Sequence, residues 1–139
     1  MEKILVSACL LGTNCKYNGK NNKNERVLEF IKDKEVIPIC PEIMGGMMTP
    51  RAAAERVGDK VLTEDGIDVT KEFKKGANEV LYLAELFNVK KALLKAKSPS
   101  CGNNIIYDGT FTHTKTEGSG ITSELLKANG ITIITEEDI

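Results

Sequence analysis

The chain has 139 residues, a length that suits one domain over residues 1–139 with a single core. Lys and Arg total 19 and Asp and Glu total 20, so the net charge is −1. Without a basic excess, and with aromatic residues at 5% and no Trp, no nucleic-acid partner is expected. No apolar run approaches the roughly 20 residues that span a bilayer, and no signal-peptide pattern begins the sequence. We therefore expect a cytoplasmic protein that does not bind membranes.

Turn residues and apolar periodicity divide the chain into strands and helices. The first apolar run, KILVSACL, is typical of a strand covered on both faces. Thr70 is a suitable N-cap for the longest helix, and Asn88 could close that helix in the left-handed region. The pairs Asp65–Gly66 and Asp108–Gly109 each predict a hairpin turn. In chain order the predicted elements are a strand over 3–10, a helix over 25–33, a strand over 35–42, a loop with a short helical turn over 43–59, a hairpin over 60–70, a helix over 71–88, a strand over 90–97, a hairpin over 105–114, a helix over 118–130 and a strand over 131–137.

This order predicts an α/β fold with a mostly parallel sheet, helices on both faces in three Rossmann-like layers, and a β-hairpin insertion. Ligands of such sheets collect at the carboxyl ends of the strands, near the topological switch point. Three of the four cysteines stand at those ends: Cys9 after the first strand, Cys40 after the second and Cys101 after the third. We expect these three to converge, whereas Cys15 is expected out in an Asn-rich loop.

Converging cysteines allow several interpretations. Packing in the core is the ordinary role of one free cysteine, but three at equivalent strand ends are harder to explain that way. A structural zinc site or a redox pair usually contains a C-x-x-C pair, which this sequence lacks. His113 is the only histidine and lies in a predicted hairpin, away from any ligand spacing, so it is expected to be an exposed polar residue.

A 4Fe-4S cluster is also chemically suited to three thiolates that come from distant loops. Three cysteines would leave one of the four irons without a protein ligand. That iron could bind and polarise a substrate atom, as the open position of a catalytic zinc does. A soft, sulfur-rich site favours a ligand that carries sulfur. The pattern therefore favours a Lewis-acid site over an electron-transfer centre.

Polar residues beside the cysteines could support such chemistry. Glu42 follows Cys40 by two residues and could deliver or accept a proton, although a carboxylate that starts a helix is the alternative. Ser98 and Ser100 precede Cys101 and could supply hydroxyls, although simple turn chemistry would explain them equally well.

Two further features are weaker candidates for binding. Arg51 could hold an anionic or carbonyl-bearing ligand, or could instead pair with Glu55 at i+4. Gly118 and Gly120 precede the last helix and could leave its amides open to an anion.

Four segments together resemble the domain-of-unknown-function family numbered 523, whose characterised branch contains thiouracil desulfidase. The segments are SACLLG with the following Cys15 and YNG, CPEIMGG with a later Pro-Arg, LLKAKSPSCG with IYDGTF, and GSGITSELLKANGI. The resemblance covers essentially the whole chain, and SPSCG with CPE-x-x-GG is its specific part. It implies a 4Fe-4S cluster held by Cys9, Cys40 and Cys101, with Glu42 and Ser100 as the proton-handling residues.

The activity that this resemblance implies is a non-redox removal of sulfur from a thionated heterocycle such as 2-thiouracil, a small-molecule thionated base. Cys15 does not match a ligand position of the family. The alternative function is an iron-sulfur protein that binds or carries sulfur without turnover of its own, which would not need Glu42. A structural domain without a cluster is a third possibility.

Overall fold

The chain folds into eight strands and four helices, which a computed structural model describes over residues 1–139. The strands are β1 (Glu2–Ser7), β2 (Lys34–Ile39), β3 (Ala54–Val57), β4 (Lys60–Thr63), β5 (Lys91–Leu94), β6 (Ile105–Tyr107), β7 (Lys115–Glu117) and β8 (Thr132–Thr135). The helices are α1 (Glu25–Phe30), α2 (Pro41–Met44), α3 (Thr70–Leu86) and α4 (Ile121–Ala128). Two 3-10 turns, Ala8–Leu11 and Glu136–Asp138, directly follow β1 and β8. None of the helices is both long enough and apolar enough to cross a membrane.

The central element is a parallel sheet of four strands in the order β2-β1-β5-β8. After β2, the next strand of this sheet in chain order is β5, which lies on the other side of β1, so the topological switch point falls between β1 and β5. Pro38 lies in β2 opposite Val6 of β1. Proline lacks an amide hydrogen, and β2 tolerates it because it is an edge strand.

Both faces of the sheet are covered, which confirms the predicted α/β class and its three layers. On one face Val6 of β1 packs in a buried cluster with Val27 of α1. On the other face Leu5 packs with Val80 of α3 and Leu126 of α4. Successive residues of a strand point to opposite faces, so a strand buried on both sides needs the unbroken apolar run that the sequence has here.

Two antiparallel hairpins, β3–β4 and β6–β7, are added outside the sheet. The hairpin predicted around Asp108–Gly109 is confirmed, since β6 and β7 pair on either side of a loop over 108–114. The hairpin predicted over 60–70 is confirmed in part: the chain reverses at Gly66 and Leu62 forms an antiparallel bridge with Asp68, but the strand that pairs along the whole of β4 is the preceding strand β3. Gly58, at φ +60°, gives that pair its tight turn. The segment over 43–59, predicted as a loop with a short helical turn, contains the last two residues of α2 and also the strand β3, which was not predicted.

The ends of α3 agree only in part with the prediction. Thr70 is the first helical residue and Val69 occupies the cap position, so Thr70 is not the N-cap. Its hydroxyl instead accepts a hydrogen bond from the Val61 amide at 2.8 Å, which ties α3 to β4. Asn88 lies at φ +54° just past the helix, so its predicted left-handed conformation is confirmed.

Helices α2 and α3 touch backbone to backbone at two glycines. A Cβ atom built on Gly76 of α3 would lie 1.9 Å from the Pro41 carbonyl oxygen of α2. A Cβ atom on Gly45, the residue after α2, would lie 2.0 Å from the Glu72 carbonyl oxygen of α3. Neither glycine adopts a positive φ, so the requirement at both positions is one of space. This contact holds α2, which carries Glu42, against the core.

Candidate active site

The three cysteines predicted to converge line one cavity at the carboxyl end of the sheet, with a volume of about 490 Å³. Cys9 lies in the 3-10 turn that follows β1, and Cys40 is the cap residue in front of α2. Cys101 lies in the loop after β5. All four cysteines of the chain are free thiols. The expected position at the strand ends, beside the switch point between β1 and β5, is therefore observed.

Cys101 is the most enclosed of the three thiols, with 4% of the residue exposed. The Ser7 hydroxyl donates to its Sγ at 3.4 Å, and the Ser100 hydroxyl approaches the same sulfur at 3.6 Å. Burial raises the pKa of Cys101 to about 12, although both hydroxyls act in the opposite direction. The Lys95 amide donates to the Ser7 hydroxyl at 2.9 Å, so Ser7 links β1 to the chain just after β5.

Cys9 lies less deeply than Cys101 and receives one polar contact. The Asn22 side-chain amide donates to its Sγ at 3.4 Å. Burial raises the pKa of Cys9, and the contact with Asn22 partly offsets that effect. The Cys9 carbonyl oxygen accepts from the backbone amide of Asn22 at 2.9 Å, so the loop that follows Cys9 folds back onto it.

Cys15 lies in a loop as expected, but the expectation that this loop holds it away from the other cysteines is wrong. Cys15 is buried and lines the same cavity as the other three cysteines. The Cys40 thiol points to the Cys15 carbonyl oxygen at 3.9 Å. The interaction between the two neighbouring thiols raises the pKa of Cys15 and lowers the pKa of Cys40. The loop is folded inward because Arg51 donates from Nη2 to the Cys15 carbonyl oxygen at 2.9 Å.

Glu42 and Ser100 are brought into direct contact, although they are far apart in the sequence. The Ser100 hydroxyl donates to Glu42 Oε2 at 3.0 Å. Arg51 Nε donates to Glu42 Oε1 at 3.0 Å, with 17% of the Glu42 side chain and 7% of the Arg51 side chain exposed. Both carboxylate oxygens are thus engaged, and the carboxylate is held in one orientation.

Arg51 therefore pairs with Glu42, and the alternative pairing with Glu55 is not formed. Its Nη1 atom also donates to the Met48 carbonyl oxygen at 3.1 Å and to the Thr49 hydroxyl at 3.0 Å. The guanidinium joins the loop after α2 to the loop that carries Cys15. The five donors of a planar guanidinium allow one buried side chain to hold several segments together.

The SPSCG turn is held from both sides. Ser98 accepts from the Cys101 amide at 2.7 Å, which is the turn chemistry considered for it in the sequence. Beyond the turn, the first amides of α4 donate to its carbonyl oxygens, Ile121 to Pro99 and Thr122 to Ser100, each at 2.9 Å. The expectation that Gly118 and Gly120 leave these amides open to an anion is therefore wrong.

Several residues of the cavity were missed in the sequence. Ser7 is one, and the signal available was its position as a polar residue inside an apolar run. Tyr107 and Phe111 of the second hairpin also line the cavity, and the segment IYDGTF had marked them only as part of a resemblance. His113 is exposed as expected, but it too borders the cavity.

The fold and the site define a three-layer α/β protein with a thiol-lined cavity at the switch point of its sheet. Residues 4–138 match the family described as 2-thiouracil desulfurase, and the chain belongs to that family, which confirms the resemblance. Among solved structures it is similar to the [4Fe-4S]-dependent thiouracil desulfidase TudS, with 41% identity and a TM-score of 0.92 over 100% of this chain and 93% of that chain. It is also 40% identical to the uncharacterized protein YbbK of Bacillus subtilis (strain 168), over 98% of this chain and 97% of the relative.

Proposed function

We propose that this protein is a [4Fe-4S]-dependent enzyme that removes sulfur, without net electron transfer, from a thionated heterocycle such as 2-thiouracil. One observation carries the proposal: Cys9, Cys40 and Cys101 line a single cavity together with the hydrogen-bonded pair Glu42 and Ser100. Membership of the 2-thiouracil desulfurase family supports it, as does the similarity to TudS over the whole chain.

The donor set suits a cluster better than a single ion. A mononuclear zinc site holds its sulfur ligands at about 2.3 Å from the metal, so the ligands must be tightly gathered. No group of three or more His, Cys, Asp or Glu side chains is gathered in that way here. The thiols of Cys9, Cys40 and Cys101 come from three separate segments of the chain around a cavity of about 490 Å³. A larger group could contact such an arrangement from several sides.

In the proposed site Cys9, Cys40 and Cys101 hold the cluster. When bound, the cluster would supply an iron without a protein ligand, a Lewis acid for sulfur. The Ser7 hydroxyl donates to the Cys101 sulfur and favours its thiolate, and the Asn22 amide does the same for Cys9. These contacts offset part of the cost of holding negative sulfur in a buried site.

The overall reaction exchanges sulfur for oxygen. One C=S group and one water become one C=O group and hydrogen sulfide, so atoms balance and neither an oxidant nor a reductant is needed. Glu42 accepts a proton from the attacking water at Oε2, and Ser100 turns its hydroxyl from that oxygen toward the heterocycle. Arg51 keeps Oε1 engaged, so the carboxylate does not rotate while the proton moves.

The alternative function, a sulfur carrier without turnover, would use the same cysteines but would not need a proton-handling group. The orientation of Glu42 by Ser100 and Arg51 therefore favours an enzyme. Glu42→Gln keeps the size of the side chain and removes the base. We expect this variant to retain its iron content and to lose sulfide release.

The test begins with anaerobic reconstitution with iron and sulfide, followed by measurement of uracil and sulfide released from 2-thiouracil. Cys101→Ala should lose iron and activity together. Glu124→Gln is the matched control, because Glu124 pairs with Arg56 outside the cavity, and it should behave as wild type. Full iron content and full activity in Cys101→Ala would refute the proposed site.

Two expectations from the sequence remain part of this proposal. Thiols must stay reduced to bind iron, which fits the reducing cytoplasm as the location. Residues 1–139 are proposed to behave as one domain, so thermal unfolding of the protein should show a single cooperative transition.

A further inference from the structure

The second hairpin adds an aromatic wall to a cavity whose other lining residues are mainly thiols and polar groups, with the exposed Tyr17 as the one aromatic residue from elsewhere in the chain. Tyr107 ends β6, and Phe111 and His113 lie in the loop between β6 and β7. All three side chains line the cavity that contains the cysteines. The chain has only four Phe residues, and Phe111 is the one on this cavity. Tyr107 and Phe111 are half-buried, so both rings are shielded yet reachable.

The loop over 108–114 is held in a conformation that side chains seldom adopt. Phe111 has φ +58° and His113 has φ +61°, in the left-handed region that disfavours bulky residues. Glu55 of the first hairpin accepts from the Gly109 amide at 2.9 Å and from the Phe111 amide at 3.2 Å. Backbone strain of this kind persists only where neighbouring contacts fix it, and it is concentrated at binding sites.

The three rings are not equivalent. Tyr107 and His113 pack edge to face, with ring centroids 6.2 Å apart and an angle of 82° between the planes. This pair braces the two sides of the loop. Phe111 has no aromatic partner, and the contact that fixes its position is made by its backbone. Its ring, half-buried at the cavity, is therefore not paired with another aromatic ring.

We propose that Phe111 is the residue on which the planar ring of the thionated base stacks. The hairpin would then make the site selective for heteroaromatic thiones over small acyclic ones such as thiourea. This inference rests on the proposed function and adds a specificity residue to it. A flat π face attracts any nucleobase-like ring, since stacking on an aromatic side chain depends on the ring and little on its substituents. The cavity, at about 490 Å³, is within the range of small-molecule sites.

The test compares Phe111→Leu, which keeps an apolar side chain, with Phe111→Tyr, which keeps the ring. Phe87→Leu is the control, because Phe87 follows α3 and does not line the cavity. Binding of uracil, which carries no sulfur, is measured by calorimetry on the cluster-loaded protein. Phe111→Leu should weaken uracil binding by about 5- to 150-fold, as expected for loss of one stacked base. Phe111→Tyr and Phe87→Leu should stay within about twofold of wild type.

Kinetics give the second measurement. Phe111→Leu should raise the KM for 2-thiouracil by a similar factor and leave kcat/KM for thiourea unchanged. If the Leu variant loses iron, Phe111→Met takes its place, because its flexible apolar side chain adapts better to the space that the ring leaves. If wild type releases no sulfide from 2-thiouracil, the proposed function fails. If wild type is active and the Leu variant keeps the wild-type affinity for uracil and the wild-type KM for 2-thiouracil, the role of Phe111 is overturned. Equal losses of activity on 2-thiouracil and on thiourea would overturn it too.

Discussion

Gly76→Ala tests whether the close contact of α2 with α3 positions the site. In an ordinary helix this substitution stabilises the helix by about 1 kcal/mol. Here the added Cβ atom would lie 1.9 Å from the Pro41 carbonyl oxygen, where ordinary van der Waals contact begins at 3.4 Å. The atom it meets belongs to the backbone of α2, so no side chain can rotate away. The two helices must separate.

The size of the effect follows from that overlap. Relieving it requires α2 to move by about 1.5 Å, and overpacking of this kind costs about 1–3 kcal/mol. After subtraction of the helix-propensity gain, we expect the free energy of unfolding to fall by about 0–2 kcal/mol. The functional effect should be larger, because α2 carries Glu42 and begins directly after Cys40. Displacement of a reacting group by about 1 Å can reduce turnover about 100-fold.

Stability is measured by urea unfolding followed by circular dichroism, and the site is measured by iron content and sulfide release. Asn78→Ala is the matched control, since Asn78 is an exposed residue of the same helix whose side chain hydrogen-bonds to the Lys74 carbonyl oxygen within that helix. It should change the free energy of unfolding by no more than about 0.5 kcal/mol and leave activity unchanged. The reasoning is refuted if the free energy of unfolding of Gly76→Ala exceeds that of wild type by the full helix-propensity gain of about 1 kcal/mol and the variant also keeps its iron and activity.

Three further substitutions test other contacts of the site. Gly120→Ala would place a Cβ atom 2.3 Å from the Ser100 carbonyl carbon, next to Cys101. This variant should therefore lower the iron content of the reconstituted protein, and an unchanged iron content would contradict the packing argument. Arg51→Lys keeps the charge but loses the planar set of guanidinium donors, so kcat should fall about tenfold while iron content is kept. An unchanged kcat would show that Arg51 does not orient Glu42. Cys15→Ser keeps a hydrogen-bonding group, so it should retain wild-type iron content in a metal assay; loss of iron would make Cys15 a fourth ligand.

The sequence predicts the sheet well because the sheet depends on local patterns. A strand buried on both faces needs an unbroken aliphatic run, and the segments that form β1 and β5 have one. The convergence of Cys9, Cys40 and Cys101 then follows from parallel topology alone, since all three follow strands that run the same way. No side-chain detail is needed for that step.

The contacts within the site could not be predicted in the same way. Arg51 pairs with Glu42 although Glu55 is closer in the sequence. The loop after α2 folds inward, and Glu55 instead accepts hydrogen bonds from amides of the second hairpin. Cys15 was expected in an exposed loop because its neighbours are polar. Contacts with Arg51 and Cys40 bury it, and both partners are distant in the sequence. Long-range pairing of this kind leaves no periodic signal.

Two close backbone contacts, one at Gly76 and one at Gly120, hold the two sides of the site in fixed relative positions. Gly76 lets α2 lie against α3, and this fixes Cys40 and Glu42 on one side of the cavity. Gly120 lets α4 lie against the Ser100–Cys101 peptide, and this fixes the other side. The hydrogen bond from Ser100 to Glu42 joins the two sides, so its length of 3.0 Å depends on both glycine contacts at once. Substitutions at the two glycines should therefore be non-additive in their effect on activity, although neither residue lines the cavity.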